Sequence, residues 1–192
     1  MATVLDRPAA RGAAFARITA DQFAGAIAAG VYDYRRVELL NGYVVEMGGP
    51  HIPHAWAKDN LLFALRAALL GAGSKLAANS DVALRVSQWD EPVPDLLVWD
   101  AIRASGPVPL ARARIVIEIA DTSLEKDLGP KAELYAAAMI GEYWVVDLDG
   151  GRIYQFWAPA GGLYRKDREI AFGDTILAET LTNIAIDTVT LG

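Results

Sequence analysis

The sequence predicts an α/β protein built on a mixed β-sheet flanked by helices. Three observations lead there. An Asn41-Gly42 turn separates two apolar runs, a helical apolar period crosses residues 53–70, and a strand–helix–strand order spans residues 114–148, whose first strand ARIVIEIA is almost wholly apolar.

The elements follow in order. Residues 1–17, MATVLDRPAARGAAFAR, carry no sustained period and read as a flexible tail; residues 18–192 read as one domain, since no Pro/Gly/Ser-rich linker divides them. Thr19 is a good N-cap for ADQFAGAIAAG, where Phe23, Ala26 and Ile27 share a face and Gly30 ends the run. In VELLNGYVVEM both turn residues tolerate positive φ, so a hairpin is expected with Glu38 on its first strand. Leu61, Leu62, Leu65 and Leu69 then match a long helix from about Pro53 to Leu70, stopped by Gly71 and Gly73. Strands are expected at KLAAN, DVALRVS, PDLLVW and ARIVIEIA, followed by a helix at LGPKAELYAAAM. Further strands are expected at EYWVVDL and RIYQFW, and at the sheet edge in LYRKDREIAF and TVTL.

Composition excludes several classes of function. There is no cysteine among the 192 residues, which removes disulfides, zinc-thiolate sites and thiol catalysis, and two histidines cannot build a multi-histidine centre. With 18 basic and 24 acidic residues the net charge of -6 opposes passive coating of a polyanion. It does not oppose a metal-dependent enzyme, because clustered carboxylates are what a hard cation needs. The stretch LLFALRAALLGAG is interrupted by Arg66 and is shorter than the ~20 residues of a membrane span, and the N-terminus has no signal-like apolar segment, so a cytoplasmic protein is expected. An apolar share of 53% leaves room for a large core and for an apolar face between subunits, so a homodimer is expected.

Charged residues inside apolar strands are the exceptions that point to chemistry. Asp95 opens PDLLVW and Glu118 lies between isoleucines in IVIEIA. The plain structural reading makes Glu118 the partner of an arginine such as Arg114 or Arg85, and Asp95 a turn residue. Together the two offer something more specific. Acids on neighbouring strands can converge on Mg²⁺, which takes one or two carboxylates, keeps waters and accepts phosphate oxygens. Asp127, Lys131 and Tyr135, spaced by four, would share a helix face, although Asp127 and Lys131 also fit an ordinary surface pair. His54 fits a helix cap or a group supporting the site, and Thr122 and Ser123 fit helix caps. Tyr143 and Trp144 fit a buried strand, and Arg35, Arg36, Arg85 and Lys126 fit a basic rim.

Residues 18–190 resemble the Uma2 family, also called DUF820, within the PD-(D/E)XK nuclease superfamily. The resemblance is carried by VELLNGYVVEM, by His54 at the start of the long helix, by PVPDLLVW, and by IVIEIADTSLEKDLGPKAELYAAAMIGEYWVVDL. It implies a restriction-endonuclease-like fold and a metal-dependent endonuclease hydrolysing DNA phosphodiester bonds with Mg²⁺, or Mn²⁺ in its place. It also implies Asp95, Glu118 and the carbonyl of Ile119 as metal ligands, with Glu38 completing the acidic cluster. Ala120 stands where the superfamily motif has its lysine, and Lys131 is the matching position in this family, on the following helix. The competing reading is a catalytically inactive nuclease-fold module, also dimeric, that binds rather than cuts. A third shares the metal chemistry and acts on another phosphate ester.

Overall fold

The computed structural model describes residues 16–191; the expected tail lies outside them except for Ala16 and Arg17. Arg17 donates Nε–H to the Asn41 carbonyl at 2.8 Å and stacks its guanidinium 4.3 Å over Trp89.

Helix α1 (Ala20–Ala28) starts at Thr19 through a capping box: Thr19 Oγ1 accepts from Gln22 N–H, and Gln22 Oε1 accepts from Thr19 N–H. Strands β1 (Val37–Leu40) and β2 (Tyr43–Glu46) form the expected hairpin. Asn41 and Gly42 take φ of 50 and 78, the left-handed pair that a two-residue turn of matching twist requires. Leu39 packs with Ala20 and Phe23. Strand alternation therefore turns Glu38 to the opposite face.

Helix α2 (Ile52–Gly71) buries Ala57, Leu61, Leu65 and Leu69 against the main sheet. It is followed by β3 (Ala77–Ser80), the short β4 (Leu84–Arg85), β5 (Leu96–Trp99), the short β6 (Val108–Pro109) and β7 (Ala113–Ala120). The connection to the next strand consists of α3 (Leu124–Lys126), a π-helical turn (Asp127–Lys131) and α4 (Ala132–Ala137). Strands β8 (Glu142–Asp147), β9 (Arg152–Ala160) and β10 (Leu163–Ala171) follow, and β11 (Thr175–Leu177) and β12 (Ala185–Asp187) make a small separate ladder.

The main sheet has the order β10-β9-β8-β7-β5-β3. Only β7 and β8 run parallel, joined by the helical crossover; the other neighbours are antiparallel. On β7 the isoleucines 115, 117 and 119 face α2, while Val116 and Ala120 face α4. Glu118 shares the parity of the second set and is thereby aimed at the crossover helix.

Several expectations change. TVTL is not a strand: Val189–Leu191 form a 3-10 turn packed against α2, because Thr188 Oγ1 accepts from Gly173 N–H and donates to the Asp174 carbonyl, which binds the chain end to a loop instead of a sheet edge. DVALRVS keeps only Leu84–Arg85 as strand, since Val86 and Ser87 N–H are spent on an Asp90 turn. The helix expected at LGPKAELYAAAM starts earlier and is widened at its centre. Pro130 has no N–H to give, and the Tyr143 hydroxyl donates to the Asp127 carbonyl at 3.0 Å.

Candidate active site

The carboxyl end of β7, the β1–β2 hairpin, the start of α2 and the π-helical turn enclose a pocket of about 270 Å³. Glu38, Asp95, Glu118, Ile119 and Lys131, the five positions singled out from the sequence, all line it.

Glu118 is 3 % exposed. Its Oε1 accepts from the Tyr135 hydroxyl at 2.8 Å and lies 2.8 Å from Lys131 Nζ, so its partner is a lysine on the crossover and not an arginine. Arg85 instead pairs with Glu91 and Asp21, and Arg114 donates to the carbonyls of Ala111 and Ala113. Burial pushes the Glu118 carboxyl up to about 8; Lys131 opposes this, and the neighbouring charges of Asp127, Asp95 and Glu38 add to it.

Lys131 Nζ lies among three carboxylates, 2.8 Å from Glu118, 3.8 Å from Asp127 and 3.9 Å from Glu38. Burial favours its neutral form, yet those three charges outweigh burial and hold the ammonium above the ordinary lysine range. Asp127 and Lys131 are both buried, so the surface-pair reading fails. The Ser123 hydroxyl donates to Asp127 Oδ2 rather than capping backbone N–H groups. Burial raises the Asp127 carboxyl further than Lys131, Ser123 and Lys126 lower it.

Asp95 sits one residue before β5. Its Oδ2 accepts from Ile119 N–H at 2.9 Å and its Oδ1 stands 3.1 Å from His54 Nε2. Burial alone would raise its carboxyl, but His54, the Ile119 N–H and Lys131 hold it below the usual aspartate range. Ala120 turns its carbonyl toward β8, where it accepts from Leu148 N–H. By alternation the Ile119 carbonyl lies on the β5 edge with its own N–H, beside Asp95. Glu38 is 1 % exposed and receives Lys126 Nζ at 2.9 Å and Val93 N–H at 3.4 Å.

The donor set fits a hard divalent cation. Six carboxylates and two lysines line one pocket, and a backbone carbonyl shares the edge of Asp95. Among the described residues no three His, Asp or Glu side chains are gathered into a metal cage.

His54 is the contact whose place the sequence left open. It is not the helix cap, which is His51; it sits in the first turn of α2 against Asp95, and its Nδ1 is buried with no partner among the described residues. The expected basic rim divides. Arg36 and Lys126 line this pocket, Arg35 lines its neighbour, and Arg85 belongs to the α1 contact. Tyr143 and Trp144 are fully buried, as expected of a core strand.

Residues 27–189 match the model of the Uma2 family, described as "Putative restriction endonuclease", and the chain belongs to that family. The crystal structure of "a putative nuclease belonging to DUF820" from Anabaena variabilis ATCC 29413 has the same fold, with a TM-score of 0.65 at 13% identity, covering 91% of this chain and 97% of that one. Among curated proteins none matches the sequence. No helix among the described residues is long and apolar enough to cross a membrane.

Proposed function

We propose that the protein is a Mg²⁺-dependent endonuclease that hydrolyses phosphodiester bonds of DNA, acting in the cytoplasm as a homodimer, with Mn²⁺ able to replace Mg²⁺. The observation that carries this reading is the convergence of Asp95, Glu118 and the Ile119 carbonyl edge on one pocket with a buried lysine among the acids. Asp95, Glu118 and the Ile119 carbonyl would hold the cation, which when bound supplies Lewis-acid polarisation of the phosphate and a more acidic water. Asp95 is kept ionised by His54 and the Ile119 N–H, and so is ready to bind without first losing a proton. Lys131 keeps its charge and stabilises negative charge developing on phosphate. Glu38, anchored by Lys126, completes the acidic wall and orients water.

Plasmid cleavage with Mg²⁺ or Mn²⁺ tests the reading. The wild type should nick or cut DNA, and Asp95→Ala or Glu118→Ala should abolish this while leaving the circular dichroism spectrum unchanged. Cleavage retained in both variants sinks the assignment. The binding-module reading is favoured instead if no metal supports hydrolysis and calorimetry detects no Mn²⁺ at the site.

A further inference from the structure

A second pocket, of about 260 Å³, lies against the first, between α1, the loop after it and β1. Arg36 and Met47 line both, so the two share a wall. Its volume falls just below the ~300 Å³ at which pockets for drug-sized ligands begin, which suits a single flat ring system.

The lining has two characters. Ile27, Tyr32 and Val37 offer an apolar and aromatic surface of the kind on which a nucleobase face packs, while Asp33 and Arg35 offer an acceptor and donors for its edge; Arg36 is spent on Asp81 of the same wall, 2.6 Å away. Asp33 makes no ion pair or side-chain hydrogen bond among the described residues, and Arg35 is held only by a 3.7 Å contact with Glu46. The backbone is shaped around this edge. Gly30 takes φ +73, and a Cβ there would lie 2.8 Å from Asp33 Oδ2, so the absent side chain leaves room for the Asp33 carboxylate. Tyr34 takes a left-handed φ of 67 although its side chain is wholly exposed. A bulky residue is strained in that conformation and gains no packing from it. The turn does place the residues on either side of it, Asp33 and Arg35, on the pocket wall.

We propose that this pocket receives one nucleobase, unstacked from the nucleic-acid strand whose phosphate lies at Asp95 and Glu118, and that it gives the enzyme a base preference beside the cut. The placement relative to the cut rests on the nuclease reading above. A carboxylate accepts from ring and exocyclic N–H groups and an arginine fork donates to carbonyl and ring nitrogen acceptors, so guanine is the best match to the edge.

Methyl NMR of the full chain, titrated with each of the four deoxynucleosides at millimolar concentration, tests the pocket. The methyls of Ile27, Val37 and Met47 should shift, most strongly with deoxyguanosine. Asp33→Ala should weaken that response at least tenfold, and Ile27→Trp, which fills the pocket from an exposed helix position, should remove it. Nucleosides carry no phosphodiester, so the result does not depend on cleavage. The absence of shifts at these methyls with all four nucleosides overturns the proposal, as do undiminished shifts in both variants. A chain that cuts DNA but ignores nucleosides loses only this inference; one that binds them but cuts nothing loses only the nuclease reading.

Discussion

Lys131 places a positive charge where the acids would otherwise face one another, 2.8 Å from Glu118 and 3.8 Å from Asp127. Above about pH 8, where Glu118 is ionised, removing one partner of such a buried ion pair typically costs ~3–5 kcal/mol, because the remaining charge is left uncompensated. Lys131→Met should therefore lower the melting temperature of metal-free protein, and Mg²⁺ should recover more of that loss than it adds to the wild type. Equal Mg²⁺ effects on both proteins would show that the lysine and the cation do not answer the same charges. A pH dependence follows from Glu118. The fold favours its protonated form, so its contribution to stability is present at acid pH and is lost as pH rises from the unfolded glutamate range to about 8. At the proposed metal site cation binding would need the carboxylate and so would displace a proton below that value. Calorimetric Mn²⁺ affinity should rise between pH 6 and 8, by up to about tenfold per unit, and flatten above. A flat profile would remove Glu118 from the ligand set.

Strand β8 opens with another buried acid, Glu142, of the opposite character. Its Oε1 accepts from Trp144 Nε1–H and Gln155 Nε2–H, and its Oε2 accepts from the N–H groups of Glu179 and Thr180 and from the Thr180 hydroxyl. It is saturated by donors and fastens the segment after β11 to the sheet, a structural acid with no capacity left for a ligand. Glu142→Ala leaves several buried donors unpaired and should cost about 3 kcal/mol in chemical denaturation, with Mn²⁺ affinity unchanged. A neutral effect on stability would contradict this. The contrast marks what the sequence makes legible at this scale. Local chemistry announced α1 through Thr19, the hairpin through Asn41-Gly42, and β7 through its almost wholly apolar run, and Glu118 stood out because it interrupts that run. Glu142 opens a strand after Gly141 and looks like a boundary residue, because its donors come from residues 155, 179 and 180. Nor does the contact between His54 and Asp95 follow from spacing. It depends on the angle at which α2 meets β5, which is fixed by packing across the whole sheet. The π-helical turn was missed: LGPKAELYAAAM reads as a plain helix despite Pro130, and the Tyr143 hydroxyl bound to the Asp127 carbonyl is a tertiary contact.

Across the whole molecule, the face of α2 opposite the core carries Ile52, Trp56, Phe63 and Leu70, which are 85%, 66%, 76% and 81% exposed. At ~100° per residue these four fall within about 40° of one another, on the side of the helix away from Leu61 and Leu65. The proposed homodimer would have this aligned apolar stripe as its contact face. A second copy of the chain is a natural occupant, because a two-fold axis lets one such stripe meet itself and the centre of an interface favours aromatic anchors. Helix α2 also carries His54 against Asp95, so a dimer through this face would set two acidic centres at a fixed separation. Sedimentation equilibrium at micromolar concentration should give a dimer for the wild type and a monomer for Trp56→Asp combined with Phe63→Asp, with unchanged circular dichroism since both side chains are exposed. On the proposed nuclease function, the monomer should still bind Mn²⁺ and nick one strand at a time, and the dimer should cut both. A wild type that sediments as a monomer, or a double variant that still dimerises, would assign the stripe to some other contact.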